Sequence, residues 1–236
     1  MNDKLDCFVL SNSDYKDNDL ILQVINKDYG IFSLVTKGAK KINSKNHYMN
    51  MCLYEFLFDY KDNKSMFTLK NGKLLKSYFD TNDIKMMSFK ELIVEACLKS
   101  KEIINADYYD NLLFLFDNLN NENMYLLGCL FFSFLLDEYG ISPMVDGCLM
   151  CGNKQVVSLS NKQGGFLCKQ HHKNEDILEV DRLKKFRHVV KADKDNYEQL
   201  LNDELKYDKE DFKLLVEFFI INSDIRLNSY EFFKKI

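Results

Sequence analysis

The clearest chemical pattern in the sequence is a group of thiol and imidazole side chains near its middle. A C-x2-C pair at Cys148 and Cys151 is followed, after 16 intervening residues, by a C-x2-H pair at Cys168 and His171. Structural zinc sites take four Cys or His ligands, and they commonly arrange them in paired half-sites of this kind. The spacing therefore predicts a structural Zn²⁺ site at these four residues, with His172 as the alternative fourth ligand.

A catalytic metal site is the less favoured interpretation of the same residues. Catalytic zinc normally leaves one position open for water, and zinc deaminases place a His-x-Glu ahead of a Pro-Cys-x-x-Cys. Here no histidine is followed two residues later by glutamate, and Pro143 lies five residues before Cys148. Phosphate-binding loops, dinucleotide-binding glycine motifs and nucleophile elbows are also missing from the sequence. We therefore predict a protein that is not an enzyme, with a zinc hydrolase or deaminase as the alternative.

A second pattern is a run of basic residues between two predicted strands. The segment from Val35 to His47 carries four lysines and no acidic residue; the lysines are Lys37, Lys40, Lys41 and Lys45. Lysines on a loop at the rim of a small barrel can neutralise several backbone phosphates of a nucleic acid. The four lysines are therefore candidate DNA-binding residues. The alternative is an ordinary solvated loop in a lysine-rich protein.

Charge is distributed unevenly along the 236 residues. The formal net charge is −4, which alone does not suggest a nucleic-acid-binding protein. Residues 29–79, however, hold nine lysines and three acidic residues, a formal charge of +6, and both flanking segments are acidic. Such asymmetry indicates an interaction surface within the basic segment.

The N-terminal third has the pattern of short β-strands. Segments 5–11, 20–26, 30–36 and 51–60 are rich in β-branched and aromatic residues, and Asn71-Gly72 predicts a hairpin turn between two more strands. This pattern predicts a small barrel or sandwich. Four aromatic residues alternate along one strand, and we favour their being core residues over their stacking on bases; they are Tyr54, Phe56, Phe58 and Tyr60.

The remainder of the chain has helical periodicity, interrupted by the cysteine-containing segment. Ser88 and Glu91 have the spacing of a capping box at a first helix. Further helices are predicted at 112–119, 125–139, 176–190, 196–201 and 208–221, with a last short one starting near 228. The longest apolar run, 126–136, is too short to span a membrane. The shortness of this run and the odd number of cysteines, seven, together predict a cytoplasmic protein without membrane association.

Taken in order, these motifs resemble the RecO family of bacterial recombination mediators. The basic run Val35-Thr36-Lys37-Gly38-Ala39-Lys40-Lys41 is similar to that family's KGARR signature, with lysines for arginines. Further similarity lies in Val9-Leu10, Ser13-Asp14-Tyr15, Asp19, Tyr29-Gly30, Asp137 to Pro143, Cys148 to Gly152, Gly164 to Cys168, and Ile225 to Ser229. The resemblance therefore spans nearly the whole chain, although residues 80–125 match only in helical character.

The resemblance implies an α+β multidomain fold: an N-terminal OB-fold β-barrel, then an α-helical domain with an inserted zinc-ribbon-like element. The corresponding domain boundaries are 1–80 for the barrel, 81–236 for the helical domain and 144–175 for the insertion. It also implies binding of single- and double-stranded DNA, strand annealing without ATP, and RecA loading with RecR onto strands covered by single-strand-binding protein. A nucleoid-associated cytoplasmic location follows.

Lys184 and Arg187, on the predicted C-terminal helices, are candidates for binding the acidic C-terminal tail of single-strand-binding protein. A zinc-stabilised protein–protein adaptor, with little DNA affinity of its own, is the alternative to the mediator function.

Overall fold

The computed structural model describes residues 2–59, 66–79, 82–103, 106–193, 196–202 and 204–236. Five strands form a closed barrel: β1 (Asn2–Tyr15), β2 (Asp19–Asn26), β3 (Gly30–Thr36), β4 (Cys52–Asp59) and β5 (Met66–Ser77). Their order around the barrel is β1-β2-β3-β5-β4, and β1 closes the barrel by pairing with both β2 and β4. The β3–β5 pair is parallel, and the other pairs are antiparallel. A five-stranded Greek-key barrel of this kind is an OB-fold, so the predicted N-terminal fold is confirmed.

Alternating side chains fill the barrel. Strand β4 alternates buried and partly exposed positions along its whole length. Tyr54, Phe56 and Phe58 point into the core, where Tyr54 and Phe56 stack with ring centroids 5.2 Å apart. The interpretation of these rings as core residues is confirmed, and base stacking by them is wrong because their faces are covered. Tyr60 lies outside the described residues.

The predicted hairpin at Asn71-Gly72 is wrong. Both residues lie in the middle of β5, where Gly72 pairs with Phe56 and Asn71 with Leu57. A Cβ at Gly72 would lie 2.6 Å from ring carbons of both Phe56 and Tyr48. The absence of a side chain at Gly72 therefore lets these two rings pack closely against the strand. Close approach of a neighbouring group is a common reason for glycine inside a strand, apart from turns and bulges.

Seven α-helices follow within the described residues: α1 (Ile84–Lys99), α2 (Ala106–Asn118), α3 (Met124–Glu138), α4 (Val180–Val190), α5 (Tyr197–Leu201), α6 (Lys209–Ser223) and α7 (Asn228–Phe233). The predicted capping box at Ser88 and Glu91 is wrong. Helix α1 begins one turn earlier, where the Asp83 side chain accepts a hydrogen bond from the Met86 amide. Ser88 instead donates to the Ile84 carbonyl from inside the helix.

The chain divides into two compact units, which are described separately. Unit 1 comprises residues 1–116 and 228–236, and unit 2 comprises residues 117–227. In unit 1, the Glu95 carboxylate on α1 accepts hydrogen bonds from the Asn228 and Ser229 amides at the start of α7. The boundary expected between residues 80 and 81 lies outside the described residues, and the expected domain ranges stay a prediction.

Unit 2 is built around α3, which is buried on nearly all sides. Phe132 on α3 contacts Phe212 and Phe219 on α6, with ring centroids 5.8 and 5.4 Å apart. Between α3 and α4, strands β6 (Val156–Ser160) and β7 (Gly165–Cys168) form a small antiparallel sheet. No helix in the described part of the chain is both long enough and apolar enough to cross a bilayer.

Candidate metal centre and nucleic-acid interface

The cysteine cluster is assembled by one turn and one hairpin of unit 2. Cys148 and Cys151 lie in a tight turn, where the Gly152 amide donates to the Cys148 carbonyl (2.7 Å) and Gly152 has φ of +72°. Cys168 ends β7. The chain then turns back, because the His171 amide donates to the Cys168 carbonyl over 2.9 Å. Backbone hydrogen bonds therefore hold the two half-sites in place.

These four side chains converge on one point. The Cys151 and Cys168 sulfurs are 3.8 Å apart, and His171 Nδ1 lies 3.3 Å from Cys168 Sγ and 3.5 Å from Cys148 Sγ. In a tetrahedral zinc site with Zn–S of about 2.3 Å and Zn–N of about 2.0–2.1 Å, sulfur–sulfur edges are about 3.8 Å and sulfur–nitrogen edges about 3.5 Å. The four ligand atoms lie within 4.8 Å of one another, so the group can hold a metal ion.

His172 occupies a different environment from its neighbour. Its Nδ1 lies 3.2 Å from the Glu175 carbonyl oxygen, away from the cluster of ligand atoms. The structure thus brings His171, and not His172, to the three thiols. His171 as the fourth metal ligand stays a prediction that this geometry supports.

Local dipoles favour the thiolate form of one cysteine in particular. Burial acts to raise the pKa of Cys148, but backbone amides of Cys168, Met150 and Cys151 outweigh it and lower the pKa to about 6. An Asn153 amide acts to lower the pKa of exposed Cys151, whereas desolvation and the neighbouring thiols raise it overall. A metal ion binds the thiolate, so the cluster presents a pre-formed negative ligand at Cys148.

The basic segment follows the end of β3 on the barrel. All four lysine side chains, Lys37, Lys40, Lys41 and Lys45, are exposed. Lys40 forms an ion pair with Asp14 (2.7 Å), whereas the other three form no ion pair within the described ranges. Three unpaired ammonium groups are therefore available to an anionic ligand here.

One acidic residue at the start of β2 and one turn carbonyl just before it position this segment, and the sequence interpretation did not give them that role. The Asp19 carboxylate, at the start of β2, accepts a hydrogen bond from the Gly38 amide over 2.8 Å. The Lys40 amide donates to the Asn18 carbonyl over 3.0 Å, and Ala39 is fully buried. The basic segment is therefore anchored at its start. In the sequence, Asp19 was among the residues that carry the resemblance, but neither its type nor its position indicated that it anchors the basic segment.

Fold and site together define a class of protein: an OB-fold barrel with an exposed basic segment, followed by helices with an inserted Cys₃His group. Residues 1–78 match the family model described as "Recombination protein O N terminal". The chain is 26% identical over 179 residues to a protein of Bacillus cytotoxicus named "DNA repair protein RecO", covering 72% of this chain and 71% of the relative.

Two further relatives carry the same name. The protein of Halalkalibacterium halodurans is 27% identical over 172 residues, covering 71% of this chain and 68% of the relative. That of Bacillus mycoides is 24% identical over 179 residues, covering 72% of this chain and 71% of the relative. The resemblance predicted from the motifs is confirmed: residues 1–78 match the RecO N-terminal model, and the chain is similar to proteins named DNA repair protein RecO over 71–72% of its length.

Proposed function

We propose that this protein is a recombination mediator in DNA repair. It binds single- and double-stranded DNA and anneals complementary strands without ATP. With RecR, it helps to load RecA onto strands coated by single-strand-binding protein. Similarity to the RecO N-terminal family model and to proteins named DNA repair protein RecO supports a role in DNA repair and recombination. The observation that carries the DNA-binding part is the exposed, anchored basic segment on an OB-fold barrel, a fold that commonly binds oligonucleotides.

Annealing by this route needs no covalent chemistry. Two complementary strands repel each other through their phosphates, and lysines that neutralise both backbones lower that repulsion. Each phosphate neutralised also releases condensed counterions, which makes the affinity depend steeply on salt. Lys37, Lys41 and Lys45 would act directly, and Lys40 would exchange Asp14 for a phosphate.

The metal ion of this proposal is a structural Zn²⁺ held by Cys148, Cys151, Cys168 and His171. Bound zinc would tie the cysteine turn to the β6–β7 hairpin and so contribute to the folding free energy of this part of unit 2. Four protein ligands complete a tetrahedron and leave no position open for water. This donor set favours the structural role over a zinc hydrolase or deaminase.

The remaining partners follow from the same proposal. RecR, the acidic C-terminal tail of single-strand-binding protein and, functionally, RecA are the proposed partners, and the protein would work in the cytoplasm at the nucleoid. The division into an OB-fold domain (1–80), a helical domain (81–236) and a zinc-finger-like insertion (144–175) belongs to the proposal too.

The test is charge reversal of the basic segment. We expect the quadruple change of Lys37, Lys40, Lys41 and Lys45 to glutamate to abolish binding of a fluorescein-labelled single strand, measured by anisotropy at low salt. The matched control reverses four other exposed lysines, Lys101, Lys162, Lys206 and Lys235, and so has the same net charge.

Both variants must retain the wild-type far-UV circular dichroism spectrum and unfolding midpoint for the comparison to hold. Loss of binding in the first variant alone supports the proposal. Equal loss in both would mean that net charge decides binding, and unchanged binding in the first would remove the segment from the DNA interface. If the wild-type protein bound RecR but no DNA, the alternative function of a protein–protein adaptor would be supported instead.

A further inference from the structure

Unit 1 contains a small surface groove that neither the proposed DNA interface nor the metal centre uses. The groove lies between helices α1 and α7 and has a volume of about 320 Å³. Clefts that bind drug-sized molecules usually measure about 300–1,000 Å³, so this groove is at the small end of that range. Its size suits a few side chains of a docked partner better than a large cofactor. The lining residues are Ile84, Met87, Ser88, Glu91, Ser229 and Phe232.

One wall of the groove is a single face of α1. Its lining residues follow one another at spacings of three, four and seven positions, which places them on one side of the helix over about 10 Å. The Ser88 hydroxyl is already used within the helix, where it donates to the Ile84 carbonyl over 2.8 Å. The wall therefore presents two apolar side chains, Ile84 and Met87, in the first turn of α1 and the Glu91 carboxylate further along.

Helix α7 is held on α1 without the aromatic ring that it contributes to the groove. Phe233 is 1% exposed and contacts Phe89 of α1, with ring centroids 5.9 Å apart. The neighbouring Phe232 lines the groove and is 57% exposed, and Ile84 on the opposite wall is 68% exposed. Large apolar side chains that face solvent across one groove have the character of an interaction site.

The groove also carries a negative charge that the fold leaves uncompensated. Glu91 is the charged residue among those that line it, and its exposed carboxylate has no ion pair within the described part of the chain. Partial desolvation and the nearby Glu95 carboxylate raise the pKa of Glu91. Glu95 is itself engaged, because it accepts hydrogen bonds from the Asn228 and Ser229 amides and pairs with Lys99 over 2.9 Å. A cation beside Glu91 would therefore be favourable.

We propose that this groove binds an amphipathic helix of a partner protein, with apolar side chains between Ile84 and Phe232 and a lysine or arginine at Glu91. Helices that bind in apolar grooves use anchor residues at i, i+3 or i+4, and i+7, and the α1 wall has the matching length. A nucleic acid or an anionic membrane would bring phosphates to Glu91, which its charge disfavours. The inference goes beyond the proposed function and does not depend on DNA binding.

The experiment measures binding of a designed helical peptide to the full chain in the absence of DNA. The probe is a fluorescein-labelled, alanine-rich peptide of about 14 residues, which make about four helical turns. It carries leucines at i, i+3 and i+7, and lysines flank that face. One control peptide replaces the leucines by serine, and the other replaces the lysines by glutamate. Fluorescence anisotropy gives the Kd of each peptide.

Two pairs of variants test the lining residues. Glu91→Lys is compared with Glu102→Lys, which makes the same change of charge at another exposed position of unit 1. Ile84→Ser is compared with Ile177→Ser, because the two isoleucines are 68% and 66% exposed and Ile177 does not line this groove. All four variants should keep the wild-type unfolding midpoint, since substitutions of exposed side chains usually change stability little.

We expect the probe to bind and both control peptides to bind much more weakly. Glu91→Lys should raise the Kd of the probe roughly tenfold, because it replaces an attraction by a repulsion. Ile84→Ser should raise the Kd several-fold, because it removes an apolar contact. Glu102→Lys and Ile177→Ser should leave the Kd unchanged.

The inference would be overturned by absence of probe binding, by equal weakening in Glu91→Lys and Glu102→Lys, or by equal affinity for the glutamate peptide. A wild-type dimer in light scattering that Ile84→Ser converts to a monomer would also overturn it, since a second copy of this chain would then occupy the groove. If the probe bound as expected but the wild-type protein neither bound nor annealed DNA, the proposed function alone would fail.

Discussion

His171 and His172 are neighbours in sequence, yet only one of their rings faces the three thiols. Loss of a residue that hydrogen-bonds to a metal ligand typically weakens metal affinity 10- to 100-fold. We expect His171→Ala to weaken zinc affinity by more than this, because it removes a ligand itself. It should also lower the unfolding midpoint, since bound metal contributes folding free energy. His172→Ala is the matched control, and it should retain about one zinc per chain by elemental analysis, as expected for a single four-ligand site.

Metal content separates the possible results. Retention of zinc by His171→Ala together with its loss from His172→Ala would exchange the roles of the two rings. A wild-type protein purified without any bound metal, and with no affinity for zinc in a chelator competition, would contradict the metal centre itself. Cys148→Ser gives an independent measurement, with loss of zinc and a lower unfolding midpoint expected.

Substitution of Asp19 is a useful test, because the loss of its charge and the loss of its hydrogen bond predict opposite changes in DNA affinity. Removing an acidic residue near a basic segment should strengthen DNA binding if charge alone matters. We expect the reverse for Asp19→Ala, a several-fold weaker affinity, because the Gly38 amide loses its acceptor and the start of the basic segment is released. Anisotropy with a labelled single strand measures the effect.

The control is Asp17→Ala, which removes the same charge from an exposed position close by in sequence. It should leave affinity unchanged or raise it slightly. If both variants strengthened binding equally, the hydrogen bond to Gly38 would have no role in presenting the lysines.

At the scale of elements, strand β5 shows where local sequence rules fail. Asn-Gly is a strong hairpin signal because both residues tolerate positive φ. In this chain the same glycine serves the packing of Phe56 and Tyr48, and tertiary contacts override the local preference. The contacts come from β4 and from the segment after the basic run, so no window of sequence around residue 72 contains them.

This packing gives a stability prediction. Gly72→Ala should destabilise the protein by about 1–3 kcal/mol, the usual cost of forcing an extra methyl group into a packed core. Urea unfolding followed by circular dichroism measures it, with Thr68→Ala on the solvent-facing side of the same strand as control. A destabilisation no larger than that of the control would mean that the two rings move aside without cost.

Other elements could be predicted because their signals are local. The alternation of β4 and the helical periodicity of α3 and α6 reflect burial of one face or of the whole element, and the sequence carries both patterns. The paired cysteines could be predicted because turn geometry and ligand chemistry act within a few residues. The strand order of the barrel and the place of Gly72 within β5 depend on long-range packing, which spacing alone does not encode.

At the scale of the whole molecule, a net charge of −4 coexists with a segment, 29–79, of formal charge +6. At ordinary ionic strength the Debye length is about 8–10 Å, so a bound strand senses mainly the charges close to it. An acidic protein can therefore bind DNA through one basic surface. The acidic residues outside this segment would disfavour DNA binding elsewhere on the protein.

Annealing of two complementary DNA strands is the measurement that tests this account most directly. With purified protein and no nucleotide, we expect the protein to accelerate annealing, followed by the fluorescence of a donor–acceptor pair. The DNA affinity measured alongside should fall with salt with a logarithmic slope of about −3, the value for four phosphate contacts on single strands. No acceleration and no DNA binding at low salt would contradict the mediator function.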